Sequence, residues 1–194
     1  TGGGFDYSWS PDGKWFTLEF IGNRHDPYSD IGMVSAQGGK IINLTNSGYT
    51  SGSPRWVLDG NAILFITERY GMRAHASWGS LNDVMLVFMN QDAYDKFRLS
   101  KEDYELQKEL EKEQKNTTEA KKNDKKKGDN KEKSEEKKEE KVKDIVVELN
   151  NIEDRIVRLT PNSSDLGSAI ITKDGETLYY LSAFEGGYDL ILKV

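Results

Sequence analysis

Two histidines are the residues of this sequence best suited to acid–base chemistry, and each lies in a stretch typical of a loop. His25 is followed by Asp26, and His75 lies two residues after Arg73. In a Ser-His-Asp arrangement, an acid orients the histidine and the histidine contacts a nucleophile. Neighbours along a chain, such as His25 and Asp26, rarely face each other in this way. We expect two ordinary loop histidines and predict no catalytic residue in this chain.

The residues that could hold a metal or a cofactor are also few. Asp26 and Asp30 lie near His25, but a stable metal site needs three or four converging ligands. Asp30 has another explanation, because an aspartate recurs before a strand at Asp83 and Asp189. The sequence contains no cysteine and no metalloprotease, P-loop, dinucleotide or G-x-S-x-G motif. We predict no metal and no cofactor.

The best candidate for a binding site is the loop "ERYGMRAHASWGSLND" (68–83). It combines a cation, a titratable ring and a large amphipathic surface in Arg73, His75 and Trp78. Loops on a rigid sheet often provide recognition, and Trp and Arg are enriched at binding surfaces. These three residues predict a site for a peptide. The alternative is structural, with Trp78 packing its own loop against the next sheet.

Charge is concentrated in one part of the 194-residue chain. Residues 101–143 contain 15 lysines and 14 acidic residues, so the remaining 12 basic and 19 acidic residues give the rest of the chain a net charge of −7. An acidic body with no aromatic residues among the lysines of 116–143 argues against nucleic-acid binding. No apolar run approaches the roughly 18 residues of a membrane helix. The first residues, "TGGGFDYS", are not typical of a signal peptide.

A repeated unit positions the loop residues. "WSPDGKWFTLEF" (9–20) aligns with "WVLDGNAILFIT" (56–67) and "ITKDGETLYYLS" (171–182). Each copy places Asp-Gly between two segments rich in aromatic and β-branched residues, which favour strands. Asp-Gly is a common type I′ hairpin pair, in which both residues have positive φ. We therefore expect a type I′ turn at Asp12-Gly13, Asp59-Gly60 and Asp174-Gly175.

The repeat continues beyond each hairpin. An aspartate opens a third strand in "DIGMV" (30–34), "DVMLVF" (83–88) and "DLILKV" (189–194), and a fourth strand ends in Leu-Thr in "KIINLT" (40–45) and "RIVRLT" (155–160). Four short antiparallel strands in about 45–50 residues are typical of a propeller blade. The predicted fold is all-β, a partial β-propeller of about three four-stranded blades. A generic antiparallel sandwich is the alternative.

The second unit is interrupted between its third and fourth strands. Ser100 can cap a helix with Asp103 as its capping-box partner, which predicts a helix over 100–115. Residues 116–143 have too little apolar surface to fold and are predicted to be disordered. We predict four segments. Residues 5–99 form the first blade and the first three strands of the second, and residues 100–115 form the inserted helix. Residues 116–143 are the disordered charged insert, and residues 144–194 form the last strand of the second blade and most of the third.

These motifs carry a family resemblance over about residues 5–194. "WSPDGKW" resembles the hairpin of TolB-type, WD-like propeller repeats. "FMNQDAYDKFRLSKEDYELQKE", the charged tract, "VELNNIEDRIVRLTP" and "LYYLSAFEGGYDL" resemble the propeller region of bacterial tricorn protease homologues. Those proteins are serine peptidases with propeller domains, a PDZ domain and a C-terminal catalytic core, none of whose catalytic residues matches a position here.

The resemblance implies a segment of a longer, periplasmic serine peptidase. It implies that the propeller gates or guides peptide substrates toward a catalytic core outside this chain. The alternatives are a TolB-type scaffold that binds proteins and the propeller of a prolyl-oligopeptidase-type enzyme. An arc of blades leaves open strand edges and an open apolar face, so we expect the isolated segment to self-associate or to be marginally stable.

Overall fold

A computed structural model describes residues 6–22, 28–75, 78–110, 143–184 and 187–193. The chain divides into two compact units, one of Thr1–Tyr94 with Val142–Val194 and one of Asp95–Lys141. In chain order, the strands of the described part are β1 (Tyr7–Trp9), β2 (Trp15–Phe20), β3 (Asp30–Ser35), β4 (Ile42–Asn43), β5 (Ser51–Val57), β6 (Ala62–Thr67), β7 (Arg73–His75), β8 (Trp78–Ser80), β9 (Asp83–Phe88), β10 (Ile156–Arg158), β11 (Asp165–Ile171), β12 (Leu178–Phe184) and β13 (Gly187–Lys193).

These strands form antiparallel sheets that follow the repeat. The first sheet has the order β1-β2-β3-β4, the second β5-β6-β9-β10, and the third β11-β12-β13, while β7 and β8 pair with each other. Strand β10 pairs with β9 in the register Ile156↔Val87, so the strand that follows the charged tract completes the second sheet. The mostly β architecture is confirmed. Ring closure, the number of blades and the predicted segment boundaries stay predictions.

The predicted type I′ turn is wrong at two of the three Asp-Gly pairs. Gly13 has φ 68° and Gly175 has φ 79°, but Asp12 and Asp174 are not in the positive-φ region. Gly13 N–H donates to the Ser10 carbonyl at 3.0 Å, and Ser10 Oγ donates to Asp12 Oδ1 at 2.6 Å. The aspartate therefore serves as a side-chain acceptor that organises a longer loop between the strands.

The turn of the third sheet has the same construction. Gly175 N–H donates to the Thr172 carbonyl at 2.9 Å, and Thr172 Oγ1 donates to Asp174 Oδ1 at 2.6 Å. Thr172 Oγ1 also accepts from Thr177 N–H at 3.0 Å, as Ser10 Oγ accepts from Trp15 N–H at 2.9 Å. A hydroxyl residue two positions before the aspartate is thus the common feature of these two turns.

The second sheet has Val57 at the position of that hydroxyl, and its turn differs. A short 3-10 helix, Leu58–Gly60, follows Val57, which makes no side-chain cap. Leu58, Asp59 and Gly60 all have positive φ, at 53°, 54° and 88°. A Cβ on Gly60 would also lie 2.4 Å from the Ile145 side chain, so both conformation and space require glycine there.

Sheet-to-sheet packing forms the main core. We call the side of each sheet that holds Trp9 and Phe16, or their counterparts in the repeat, its front face, and the opposite side its rear face. The rear face of the first sheet packs on the front face of the second, and strand β5 lies against β1 and β2. The cluster comprises Ile31, Met33 and Leu44 from the first sheet, Ile63, Phe65, Met85 and Val87 from the second, and Met89 and Ile152 beside them.

The described residues form two α-helices, where the sequence predicted one. The additional helix α1 (Gln91–Phe97) is capped by Asn90, whose Oδ1 accepts from Ala93 N–H at 2.8 Å. Residues 101–110 form helix α2. Ser100 caps it as predicted, because Ser100 Oγ accepts from Asp103 N–H at 3.1 Å. Residues 111–142, with the rest of the predicted helix and most of the predicted disordered tract, lie outside the described part.

The segment 144–155 returns the chain to the second sheet, and we call it the return segment. Ile145 N–H donates to Asp12 Oδ2 at 3.0 Å, and Glu148 N–H donates to the Met89 carbonyl at 2.7 Å. The segment ends in a 3-10 helix, Ile152–Arg155. The buried Arg155 guanidinium donates to the carbonyls of Phe88, Asn150 and Glu148. These bonds fix the return segment at the Asp-Gly end of the sheets.

Candidate functional site

Buried aspartates organise the end of the sheets that lies opposite the Asp-Gly turns. Asp30, the first residue of β3, is almost fully buried. Its Oδ1 accepts from Thr45 Oγ1 and from Ser47 N–H, both at 2.9 Å, and its Oδ2 accepts from Asn43 Nδ2 at 2.9 Å. Several donors thus satisfy this carboxylate, as a buried charge requires. Asp30 is a structural residue of the repeat.

Asp83 holds the same position in the second sheet and is fully buried. Its Oδ1 accepts from Arg158 Nε at 3.0 Å, from Arg158 Nη2 at 2.8 Å and from Thr160 Oγ1 at 2.7 Å. Its Oδ2 accepts from Ser163 Oγ at 2.7 Å. The Thr of each Leu-Thr pair therefore bonds the aspartate that opens the neighbouring strand. This contact explains why the repeat keeps both residues.

The threonines also bind the backbone next to these aspartates. Thr45 Oγ1 accepts from Ile31 N–H at 3.1 Å, and Thr160 Oγ1 accepts from Val84 N–H at 3.3 Å. We call each aspartate with its threonine an Asp–Thr cluster. The two clusters give loops 46–50, 68–82 and 161–164 a rigid base.

Loop 68–82 is held to this base by Glu68. Its Oε1 accepts from Thr50 N–H at 3.1 Å, and its Oε2 accepts from Ser80 Oγ at 2.7 Å. The Gly71 backbone approaches the Leu81 carbonyl so closely that a Cβ on Gly71 would lie 1.6 Å from that oxygen. Only glycine fits there, so the two arms of the loop are held together at their base.

The predicted binding residues lie in the hairpin that this loop forms. Arg73 and His75 are in β7, Trp78 opens β8, and the register pairs His75 with Trp78 and Arg73 with Ser80. The backbone thus brings all three residues into one two-stranded element. Their side chains lie outside the described part, as do His25 and Asp26. A peptide-binding role for Arg73, His75 and Trp78 stays a prediction.

Two exposed residues of this loop were missed by the sequence prediction. Met72 is 76% exposed and Tyr70 is half exposed. Two cations lie near the Tyr70 ring, with the guanidinium of Arg158 5.1 Å and that of Arg69 5.6 Å from its centroid. The signal was present in "ERYGM", where an aromatic and a flexible apolar residue flank a glycine. We call Arg69, Tyr70 and Met72 the loop surface.

At the opposite end of the sheets, where the Asp-Gly turns lie, hydrogen bonds and a nearby cation stabilise the ionised carboxylate of Asp12. Partial burial of Asp12 acts to raise the pKa of its carboxyl. Hydrogen bonds from Ser10 Oγ, Ile145 N–H and Lys14 N–H, together with the charge of the Lys14 ammonium, act in the opposite direction and outweigh burial. The pKa of Asp12 therefore lies below its usual 3.8. Lys14 also pairs with Asp144 at 2.6 Å. Asp12 is therefore an ionised acceptor that holds the return segment.

The described residues contain neither a cluster of metal-ligating side chains nor a helix that could span a membrane. No three His, Asp or Glu side chains of the described ranges lie close enough together to hold a metal ion. Neither α1 nor the described part of α2 has the length and apolar content that crossing a bilayer requires.

Comparisons with known proteins give the fold. No protein-family model matches the chain. Among solved structures, the chain is similar to the tricorn protease with a TM-score of 0.53 and 12% sequence identity, over 91% of this chain and 15% of that one. The chain has a propeller-type fold of the tricorn kind. It also resembles TolB from Acinetobacter baumannii with a TM-score of 0.49 and 15% identity, over 97% of this chain and 29% of that one.

One curated protein is similar in sequence. A stretch of 59 residues, 30% of this chain, is 39% identical to the uncharacterized peptidase YuxL of Bacillus subtilis (strain 168), and it represents 9% of that protein. The propeller-type chain thus spans less than a third of each of these proteins. In this fold, the Asp–Thr clusters and the loop surface lie at one end of the sheets, and the return segment lies at the other.

Proposed function

We propose that this chain is a non-catalytic propeller segment of a tricorn-like serine peptidase, and that it guides peptides toward a catalytic core in another part of the polypeptide. The observation that supports the proposal most is the 39% identity to a peptidase over 59 residues. The similarity to the tricorn protease supports the fold of such a segment. A periplasmic location belongs to the same proposal.

The hairpin β7–β8 is the element that we assign to peptide contact. In the described part of the chain, β7 and β8 pair only with each other, so their outer edges offer backbone donors and acceptors. An extended peptide can add to such an edge as a further strand, which gives affinity without a strict sequence requirement. This mode suits a surface that passes on peptides of varied sequence.

The loop surface supplies side-chain contacts beside that edge. Met72 is flexible and adapts to different partners, and the Tyr70 ring offers a rigid amphipathic face. The hydrogen bonds of Glu68 hold both residues on a fixed base. A peptide that reaches this end of the sheets would therefore meet a preorganised surface.

Kinetics of the full-length enzyme test this assignment. We expect Tyr70→Ala with Met72→Ala to lower kcat/KM for peptides of ten or more residues about 5-fold, equivalent to about 1 kcal/mol. Hydrolysis of a chromogenic dipeptide should be unchanged, because so short a substrate needs no guiding. The matched control is Val146→Ala, an exposed apolar residue at the opposite end of the sheets. Equal losses with long and short substrates would contradict the proposed role.

A further inference from the structure

The four methionines of the chain differ sharply in their exposure to solvent. Met33, Met85 and Met89 belong to the main core, and each is at most 2% exposed. Met72 lies in loop 68–82 and is 76% exposed, the largest exposed fraction of any large apolar side chain in the described ranges. A reagent dissolved in the solvent therefore reaches the sulfur of Met72 and not those of the core.

The backbone around Met72 is held in place, so its exposure is a fixed feature of the loop. Leu81 N–H donates to the Met72 carbonyl at 3.1 Å, and Gly71 N–H donates to the Glu68 carbonyl at 3.2 Å. The Glu68 carboxylate is bonded in turn to the preceding loop and to the second arm of the hairpin. The loop therefore presents the thioether of Met72 to solvent from a bonded base.

Oxidation of a methionine converts a flexible apolar side chain into a polar sulfoxide. In the core, such a change would place an unpaired polar oxygen among apolar side chains, which is costly. Burial protects Met33, Met85 and Met89 from this damage. At Met72 the sulfoxide oxygen would be solvated, so the packing of the sheets would persist while the loop surface lost its most exposed apolar group.

We propose that Met72 is a site of reversible oxidation by hydrogen peroxide that weakens peptide contact at the loop surface, a regulation that rests on the proposed function. A lone pair of the sulfur attacks one peroxide oxygen, the O–O bond breaks, a sulfur–oxygen bond forms, and the second oxygen leaves as water. The sulfur loses two electrons and the peroxide gains them. Two thiols reverse the step, because they form a disulfide and release the sulfoxide oxygen as water. A peptide that covers the sulfoxide must displace its water, so the oxidised surface binds less tightly.

Peptide mapping by mass spectrometry tests the modification, and its result does not depend on the proposed function. After brief treatment of the full-length polypeptide with hydrogen peroxide, we expect Met72 to gain one oxygen about 10-fold or more faster than Met33, Met85 and Met89. The control is the same treatment in urea, which should make the four rates similar because unfolding exposes every sulfur. Similar rates in the folded protein, or a slower reaction at Met72, would overturn the proposal.

Kinetics of the full-length enzyme test the regulation, with each form compared with itself before and after a peroxide dose that oxidises Met72. Oxidation should lower kcat/KM for peptides of ten or more residues about 3-fold, and a thiol-dependent methionine sulfoxide reductase should restore it. Met72→Leu lacks the sulfur, so peroxide should not lower its kcat/KM. Met72→Gln carries a polar amide in place of the thioether and should show the reduced value without peroxide.

An equal loss in the parent and Met72→Leu enzymes, or no loss in the oxidised parent, would overturn the regulation. The Tyr70→Ala with Met72→Ala enzyme separates this failure from that of the proposed function. If that enzyme still loses activity on long peptides while oxidation has no effect, the loop surface contacts peptides and the regulation alone is wrong. If neither change affects long peptides, both assignments are wrong.

Discussion

At the scale of single residues, the Asp–Thr clusters are the features on which the candidate site most depends. Asp83 and Asp30 are buried carboxylates that accept hydrogen bonds from one residue of a neighbouring strand and from residues of the loop after it. A carboxylate buried in this way stabilises the fold only while its donors are in place. Each cluster therefore sets the conformation of the loops around it.

Replacing Asp83 with alanine should lower the free energy of unfolding by about 3 kcal/mol. The change leaves the buried hydroxyl of Thr160 and the guanidinium of Arg158 without their acceptor. Arg158 is partly exposed and can regain water, which keeps the loss at the lower end of the range for broken buried pairs. Urea unfolding followed by tryptophan fluorescence measures the effect.

The matched control for that variant is Asp165→Ala. Asp165 also opens a strand, but it is exposed, and surface substitutions of this kind usually change stability by less than about 0.5 kcal/mol. Similar losses in the two variants would mean that burial and hydrogen bonding of Asp83 do not contribute as described.

At the scale of elements, the charged insertion is separable from the second sheet. The pairing of β9 with β10 and the bonds of the return segment involve only residues on either side of the insertion. Deleting residues 116–143 should leave the fold intact and change the free energy of unfolding by less than about 1 kcal/mol, because closure entropy varies slowly with loop length. Thermal melts by circular dichroism measure the change.

The control for the 116–143 deletion is a deletion of residues 144–149. It removes the acceptor and donor groups that bind Met89, Asp12 and Arg155, so the melting temperature should fall sharply although fewer residues are lost. Loss of folding in the 116–143 deletion would show that the insertion is itself structural.

The elements also show what the sequence could predict. The strands of the three main sheets, their order and the split second sheet follow from the spacing of Asp-Gly, Asp and Leu-Thr, because these residues have fixed roles in each unit. Strands β7 and β8 lie in a stretch that the sequence predicted as a loop. The turn type at Asp12 and Asp174 could not be predicted from this spacing, because a hydroxyl residue two positions earlier binds the aspartate side chain. Helix α1 was missed although Asn90 is a good cap, since a helix of seven residues has little periodicity to detect.

At the scale of the whole molecule, the chain is a set of propeller-type sheets, the first two of which pack face to face around the main core. The loop surface could be placed only from the structure, since it depends on which end of the sheets each loop reaches. The account predicts that this propeller-type fold functions within a longer polypeptide.

The most direct test of the account is to label the native polypeptide that contains this segment with a fluorescent fluorophosphonate, a reagent for active-site serines. Precipitation with an antibody against residues 6–194 isolates that polypeptide from fractionated source cells. The account predicts a labelled band of roughly 100 kDa or more in the periplasmic fraction, the size of several domains together. An unlabelled band near the 22.0 kDa of this chain would contradict the peptidase assignment.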